Sequence, residues 1–173
     1  IRMDVERKRM SDRALSYEII DNIGYIKIDR FIKNTPDYFK EALVYFNENK
    51  TEKIILDLRD NPGGLLESLV ESSGYLTGKQ TILSVRERSG KETEYVSEND
   101  RIFKGDICIL INENSASAAE AMTLALREHI GAKVVGVKSF GKGIVQTTYN
   151  LPDGTGYKLT TSEYFSPKGK SIH

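Results

Sequence analysis

Apolar residues recur along this chain in two rhythms, and the switches between them mark the elements. Tyr17–Ile20 and Ile23–Asp29 read as short strands around a turn at Asp21-Asn22. Pro36-Asp37 opens a helix, because proline early in a helix lacks an N–H that has no partner there. Phe39, Ala42, Leu43 and Phe46 then fall on one helical stripe. The run Lys53–Leu58 predicts a buried strand, broken by Asn61-Pro62-Gly63-Gly64. A second helix follows, with Leu65, Leu66, Leu69, Val70, Ser73 and Leu76 on one side. Thr81–Arg88 and Glu92–Val96 predict a hairpin around Ser89-Gly90. Asp106–Asn112 predicts another buried strand and Ala116–Ile130 a third helix. Ala132–Val137, Ile144–Tyr149 and Tyr157–Tyr164 read as the remaining strands, the last two separated by a turn at Pro152-Asp153-Gly154.

Strand and helix alternate through the centre, which predicts an α/β domain with a largely parallel sheet. Ligands of such sheets sit beyond the carboxyl ends of the strands. Two strand-to-helix junctions qualify, Asn61–Gly64 and Asn114–Ser117. Composition narrows the class. The chain has 173 residues, 39% hydrophobic and 29% charged, which suits one globular domain with its own core. Basic and acidic residues balance at 25 each, so the net charge gives no support to nucleic-acid binding. The lone cysteine, Cys108, lies in an apolar run and reads as a buried strand residue. Residues 1–20, with Glu6-Arg7-Lys8-Arg9, are expected to be a connector from an upstream domain, and 21–173 the functional core. The start at Ile1, without an initiator Met, fits a piece of a longer chain.

The chemistry concentrates in two segments. Asn114-Ser115-Ala116-Ser117-Ala118-Ala119-Glu120 leaves a strand and opens a helix. Phe140-Gly141-Lys142-Gly143-Ile144-Val145-Gln146 follows the next strand. A hydroxyl at a helix start and a lysine between two glycines are the parts of a Ser/Lys nucleophilic site. Ser117 at a helix N-terminus exposes its hydroxyl, with the next N–H directed at developing negative charge. A plain capping serine is the alternative, and Ser115 is a candidate for that cap. Near its ordinary pKa of about 10.4, a lysine is neutral in only about one molecule in 2,500 at pH 7. A lysine base therefore needs apolar surroundings that disfavour its charge, for which Phe140 and Val145 are the candidate walls of Lys142. If Gly143–Gln146 is extended, residues 142, 144 and 146 point the same way, and the Gln146 amide oxygen can accept from the lysine. Gly63 and Gly64 supply unhindered amides at a helix start. Arg59 and Asp60 beside them are candidates for an ion pair that positions this loop, and Glu120 is accounted for by the helix dipole. The two histidines, His129 and His173, form no triad pattern, and no metal-ligand cluster or G-x-S-x-G elbow occurs.

Several segments in order resemble the carboxyl-terminal processing peptidases, or tail-specific proteases. They are Ile23-Gly24-Tyr25-Ile26 with Phe31, then Leu56–Gly64, Ser115–Ala118 with Glu120, Phe140–Gly143 with Gln146, and Ser166-Pro167-Lys168-Gly169. The resemblance implies a crotonase/ClpP-like α/β core whose mostly parallel sheet is flanked by helices. It implies Ser117 as nucleophile, Lys142 as general base and Gln146 as its support. It also implies an oxyanion hole made by the Ala118 amide and a glycine amide, Gly63 or Gly64. The expected activity is a serine endopeptidase acting near the C-termini of unfolded or flexible proteins, without cofactor or metal. A PDZ domain in the full-length protein is implied, together with a bacterial, membrane-anchored location outside the cytoplasm. A homodimer stays open. The competing reading is a non-catalytic ligand-binding module of the same fold, and acyl-thioester chemistry on a related core is a third.

Overall fold

The structure, a computed structural model, describes residues 14–172. Strands β1 (Leu15–Ile20), β2 (Ile23–Ile28), β3 (Lys53–Asp57), β6 (Asp106–Ile111) and β7 (Lys133–Gly136) form a sheet in the order β1-β2-β3-β6-β7. β1 and β2 are antiparallel, and every other neighbour pair is parallel. Helices α1 (Thr35–Glu48), α2 (Leu66–Thr77) and α3 (Ala118–Ile130) pack side by side in that order. The expected α/β core is therefore present. Of the expected connector, residues 1–13 lie outside the described residues, and Leu15–Ile20 forms the edge strand β1.

Alternation along the strands explains which face is filled. Ile26, Ile28, Ile54, Leu56, Ile107 and Ile109 are buried, whereas Tyr25, Ile55, Cys108 and Leu110 between them are half-buried. On α1, Phe39, Ala42, Leu43 and Phe46 are the buried stripe that the spacing predicts. The meeting faces of α2 and α3 are built of small residues. Ser68, Ser72 and Ser73 are buried on α2, and Ala118, Ala119, Ala121 and Ala125 on α3, which lets the two helices approach closely.

The other strands do not join this sheet. β4 (Thr81–Glu87), β5 (Glu92–Val96), β8 (Ile144–Asn150) and β9 (Gly156–Phe165) make a separate antiparallel sheet in the order β5-β4-β9-β8. The short turns at Ser89-Gly90 and Pro152–Gly154 permit only antiparallel neighbours, since a parallel pair needs a long crossover. β4 packs against α2 and α3, which ties this second sheet to the helical layer. No helix among the described residues is long and apolar enough to cross a membrane.

Candidate active site

The loops after β3 and β6 are sewn to each other. Ser115 Oγ donates to the Leu58 carbonyl (2.8 Å) and accepts from the Asn112 N–H (2.9 Å). The Asp60 carboxylate accepts from the side-chain amides of Asn112 (2.9 Å) and Asn114 (2.8 Å). These two bonds hold the Asp60 carboxyl below the ordinary carboxylate range. Asn61 is fully buried; its amide donates to the Ile28 carbonyl (2.8 Å), and its Oδ1 accepts from the Gly63 N–H (2.8 Å). The Ala116 N–H donates to the Asn61 carbonyl at 2.9 Å. Phe31 completes the frame, its N–H donating to the Gly63 carbonyl and its carbonyl accepting from the Leu65 N–H.

Gly63 and Gly64 are required here by space. Gly63 has φ 102°, and a methyl on it would lie 2.9 Å from Ser117 Cβ and 3.0 Å from the Ala118 nitrogen. Gly64 has φ 143°, and a methyl there would collide with the Phe31 carbonyl. The two junctions singled out in the sequence thus meet, with Gly63 against Ser117 and Ala118. The Gly63 N–H is already committed to Asn61. Among the described residues, no partner accepts from the N–H groups of Gly64 or Ala118.

Ser117 is half-buried at the N-terminal boundary of α3, with φ 54° and ψ −114°. A non-glycine residue in that region is strained, and it persists only where its surroundings over-determine it. The strain explains why α3 begins at Ala118 rather than at the expected Ala116. Ser115 is not the cap; it is buried and braces the loop from behind. The Ser117 N–H donates to Glu120 Oε2 at 2.8 Å.

Glu120 does more than the helix dipole requires. Its carboxylate is buried, and it also accepts from Ser139 Oγ (2.7 Å), the Gly141 N–H (2.6 Å) and the Lys142 N–H (2.9 Å). The Phe140 N–H donates to the Ser115 carbonyl at 3.0 Å. The segment carrying Lys142 is therefore moored to the segment carrying Ser117. From the other side, the Tyr164 N–H in β9 donates to the Gly143 carbonyl at 2.8 Å. The Tyr164 hydroxyl interacts with that of Ser117; burial pushes the phenol above its ordinary range, and the Ser117 contact opposes that.

Residues 22–173 match the sequence profile of peptidase family S41. A "Probable CtpA-like serine protease" of Staphylococcus haemolyticus (strain JCSC1435) is 38% identical over 98% of this chain. The chain belongs to peptidase family S41. A protein of the same description from Staphylococcus aureus (strain COL) is also 38% identical over 98% of the chain. The chain spans about a third (35%) of the length of these relatives. Among solved structures, the photosystem II D1 C-terminal processing protease superposes with TM-score 0.86 at 24% identity, covering 96% of this chain and 47% of that one. A lipoprotein from Streptococcus agalactiae gives TM-score 0.78 at 21% identity over 94% of this chain and 62% of that one. These two likenesses concern the fold.

Within this S41 domain some expected contacts are replaced by others. Arg59 pairs with Asp57, not Asp60, its guanidinium lying 2.6 Å from Asp57 Oδ2. Burial alone would raise the Asp57 carboxyl, but Arg59 and the Tyr25 hydroxyl together hold it below the ordinary range. Phe140 is 67% exposed and is no wall for Lys142, which is itself half-buried. The reason is the Phe140 backbone bond to Ser115, which turns the segment so that the side chain faces outward. Gln146 is exposed in β8, and a bulge between Val145 and Gln146 interrupts the alternation that was to align it with Lys142. No hydrogen bond joins the Lys142 and Gln146 side chains among the described residues. Tyr164 and the second role of Glu120 escaped sequence reasoning. A carboxylate three residues after a candidate cap was the visible signal for Glu120, and it identified the cap but not the loop.

Proposed function

We propose that this domain is the catalytic core of a serine endopeptidase that works through an acyl-enzyme, with Ser117 as nucleophile and Lys142 as general base. The observation that carries the reading is the strained Ser117, packed with Ala118 against Gly63 of the other junction, with the Lys142 loop moored to the same helix turn. Lys142 Nζ takes the Ser117 proton as Oγ bonds to the scissile carbonyl carbon. The carbonyl oxygen becomes an oxyanion, received by the N–H groups of Ala118 and Gly64. Preorganised donors of this kind act where charge develops, and loss of one costs about 10²–10³ in rate. Collapse of the intermediate breaks the C–N bond, and the lysine ammonium returns its proton to the leaving amine. Water then attacks the acyl-enzyme with Lys142 again as base, releasing the acid and the free Ser117 hydroxyl. Of the two candidate glycines, Gly64 fits the donor role because the Gly63 N–H is committed to Asn61. Gln146 supports Lys142 only if the start of β8 shifts toward it on substrate binding.

A groove of about 630 Å³ runs over the second sheet past Leu66, Val85, Tyr95, Val145, Tyr149 and Leu159. Its mixed lining, which also includes Glu87, Arg88 and several threonines, and its open sides suit an extended, flexible segment of a protein substrate. Cleavage near substrate C-termini fits the resemblance to tail-specific proteases. By the same reading the full-length protein is bacterial, anchored outside the cytoplasm and equipped with a PDZ domain.

The test is digestion of an unfolded protein such as casein by the full-length protein, followed by mass spectrometry. Ser117→Ala is expected to reduce cleavage by at least about 10⁴-fold. Cleavage that persists in that variant would refute the nucleophile assignment.

A further inference from the structure

We propose that Glu120 is a positioning residue that fixes nucleophile and base relative to each other. The inference rests on the Ser117/Lys142 reading above. A carboxylate offers about four acceptor sites. Here all are used, and the donors come from two different parts of the chain. Oε2 accepts from the Ser117 N–H at 2.8 Å and the Lys142 N–H at 2.9 Å. Oε1 accepts from Ser139 Oγ at 2.7 Å and the Gly141 N–H at 2.6 Å. The backbone amides of nucleophile and base thus share a single oxygen atom.

A favourable charge on the helix dipole needs only an acidic residue in the first turn, and an exposed one serves. Glu120 is 5% exposed and serves a loop 21 and 22 residues away. Burying a carboxylate is costly unless its hydrogen-bonding sites are filled. The Ser139–Gly143 segment lies outside the strands, so no sheet ladder fixes it. It is also tied by the Phe140–Ser115 and Tyr164–Gly143 backbone bonds, neither of which touches Lys142 directly. Glutamine in place of Glu120 keeps the shape but turns an NH₂ group toward two N–H or O–H donors. One side of the mooring must then open. Displacement of a reacting group by about 1 Å can cost about 10²-fold in rate, with no effect on how substrate is held elsewhere.

The experiment uses the full-length protein and a fluorophosphonate probe of the active serine, beside peptide hydrolysis. The end-point of labelling counts competent sites, and its rate reads attack by Ser117. For Glu120→Gln we expect the labelling rate and kcat per competent site to fall about 100-fold, with KM within about threefold of wild type. A purely structural carboxylate would lower the melting temperature and the number of competent sites, with kcat per site unchanged; that result would overturn the proposal. If Glu120→Gln does not fold, Ser139→Ala removes one donor and leaves the carboxylate. It should lower kcat at least about threefold at constant KM, and an unchanged kcat overturns the proposal. Labelling that survives in Ser117→Ala would remove the Ser117 reading and this inference with it, an outcome that the Glu120 variants cannot produce.

Discussion

The two halves of the site are held in different ways. The nucleophile half sits where two parallel strands end, and its loops are laced by Ser115, Asn61, Asp60 and Asn112 into the sheet and into each other. The base half hangs between β7 and β8, at the root of a long ribbon whose Tyr149, Leu151, Tyr157 and Leu159 are exposed. One half is anchored by the buried bonds of Ser115 and Asn61, which cost much to break, with the exposed Asp60–Asn112 bonds beside them. The other is held by one carboxylate and a few backbone bonds. In the proposed mechanism the oxyanion side is preorganised by the fold, whereas alignment of Lys142 depends on a small number of contacts that a variant can remove singly.

The sharpest way to test that contrast is Lys142→Ala. Removing a half-buried side chain that makes no side-chain hydrogen bond or ion pair among the described residues should leave the melting temperature within about 2 °C, since surface changes stay within about 0.5 kcal/mol. Turnover of a peptide substrate should fall about 10³-fold or more, as for loss of a general base. A large loss of stability would break the comparison, because the base half would then be part of the frame. Asn61→Ala tests the opposite side. It leaves the Ile28 carbonyl and the Gly63 N–H buried without partners, at about 1–3 kcal/mol each. Chemical denaturation should show a loss of about 3 kcal/mol, and an unchanged midpoint would refute the anchoring role. Gln146→Ala gives the smallest effect. It should lower kcat about tenfold and leave stability unchanged, as expected for an exposed side chain that acts only in the substrate-bound form. A loss as large as that of Lys142→Ala would mean that the lysine and the glutamine act as a unit.

Much of the frame was legible in the sequence because it rests on local rules. The stripe on α1, the apolar runs of β3 and β6, and the turns at Asn61–Gly64 and Asn114–Ser117 follow from periodicity and turn chemistry. The candidates Ser117, Gly63, Gly64 and Ala118 came from those same junctions, and the fold brings them together. What sequence reasoning placed poorly is what depends on approach between distant segments. Phe140 was assigned to a wall and is exposed, because its backbone bond to Ser115 sets its direction. Arg59 was paired with Asp60 and instead grips Asp57, since Asp60 is taken by Asn112 and Asn114. The division of the strands into two sheets was likewise not expected.

By itself, the sequence determined the strand–helix alternation, the two junctions at which function is proposed and the residue types available for a Ser/Lys site. Those are properties of residues near one another along the chain, where steric preference and hydrophobic period act directly. Only the tertiary structure decided that the Gly63 amide is committed to Asn61 while that of Gly64 has no acceptor among the described residues, and that Tyr164 approaches Ser117. It also decided that Glu120 binds both active segments. Each of these is a hydrogen bond or contact between segments far apart in sequence, and such bonds depend on ångström-scale placement that packing of the whole core sets and no local pattern encodes.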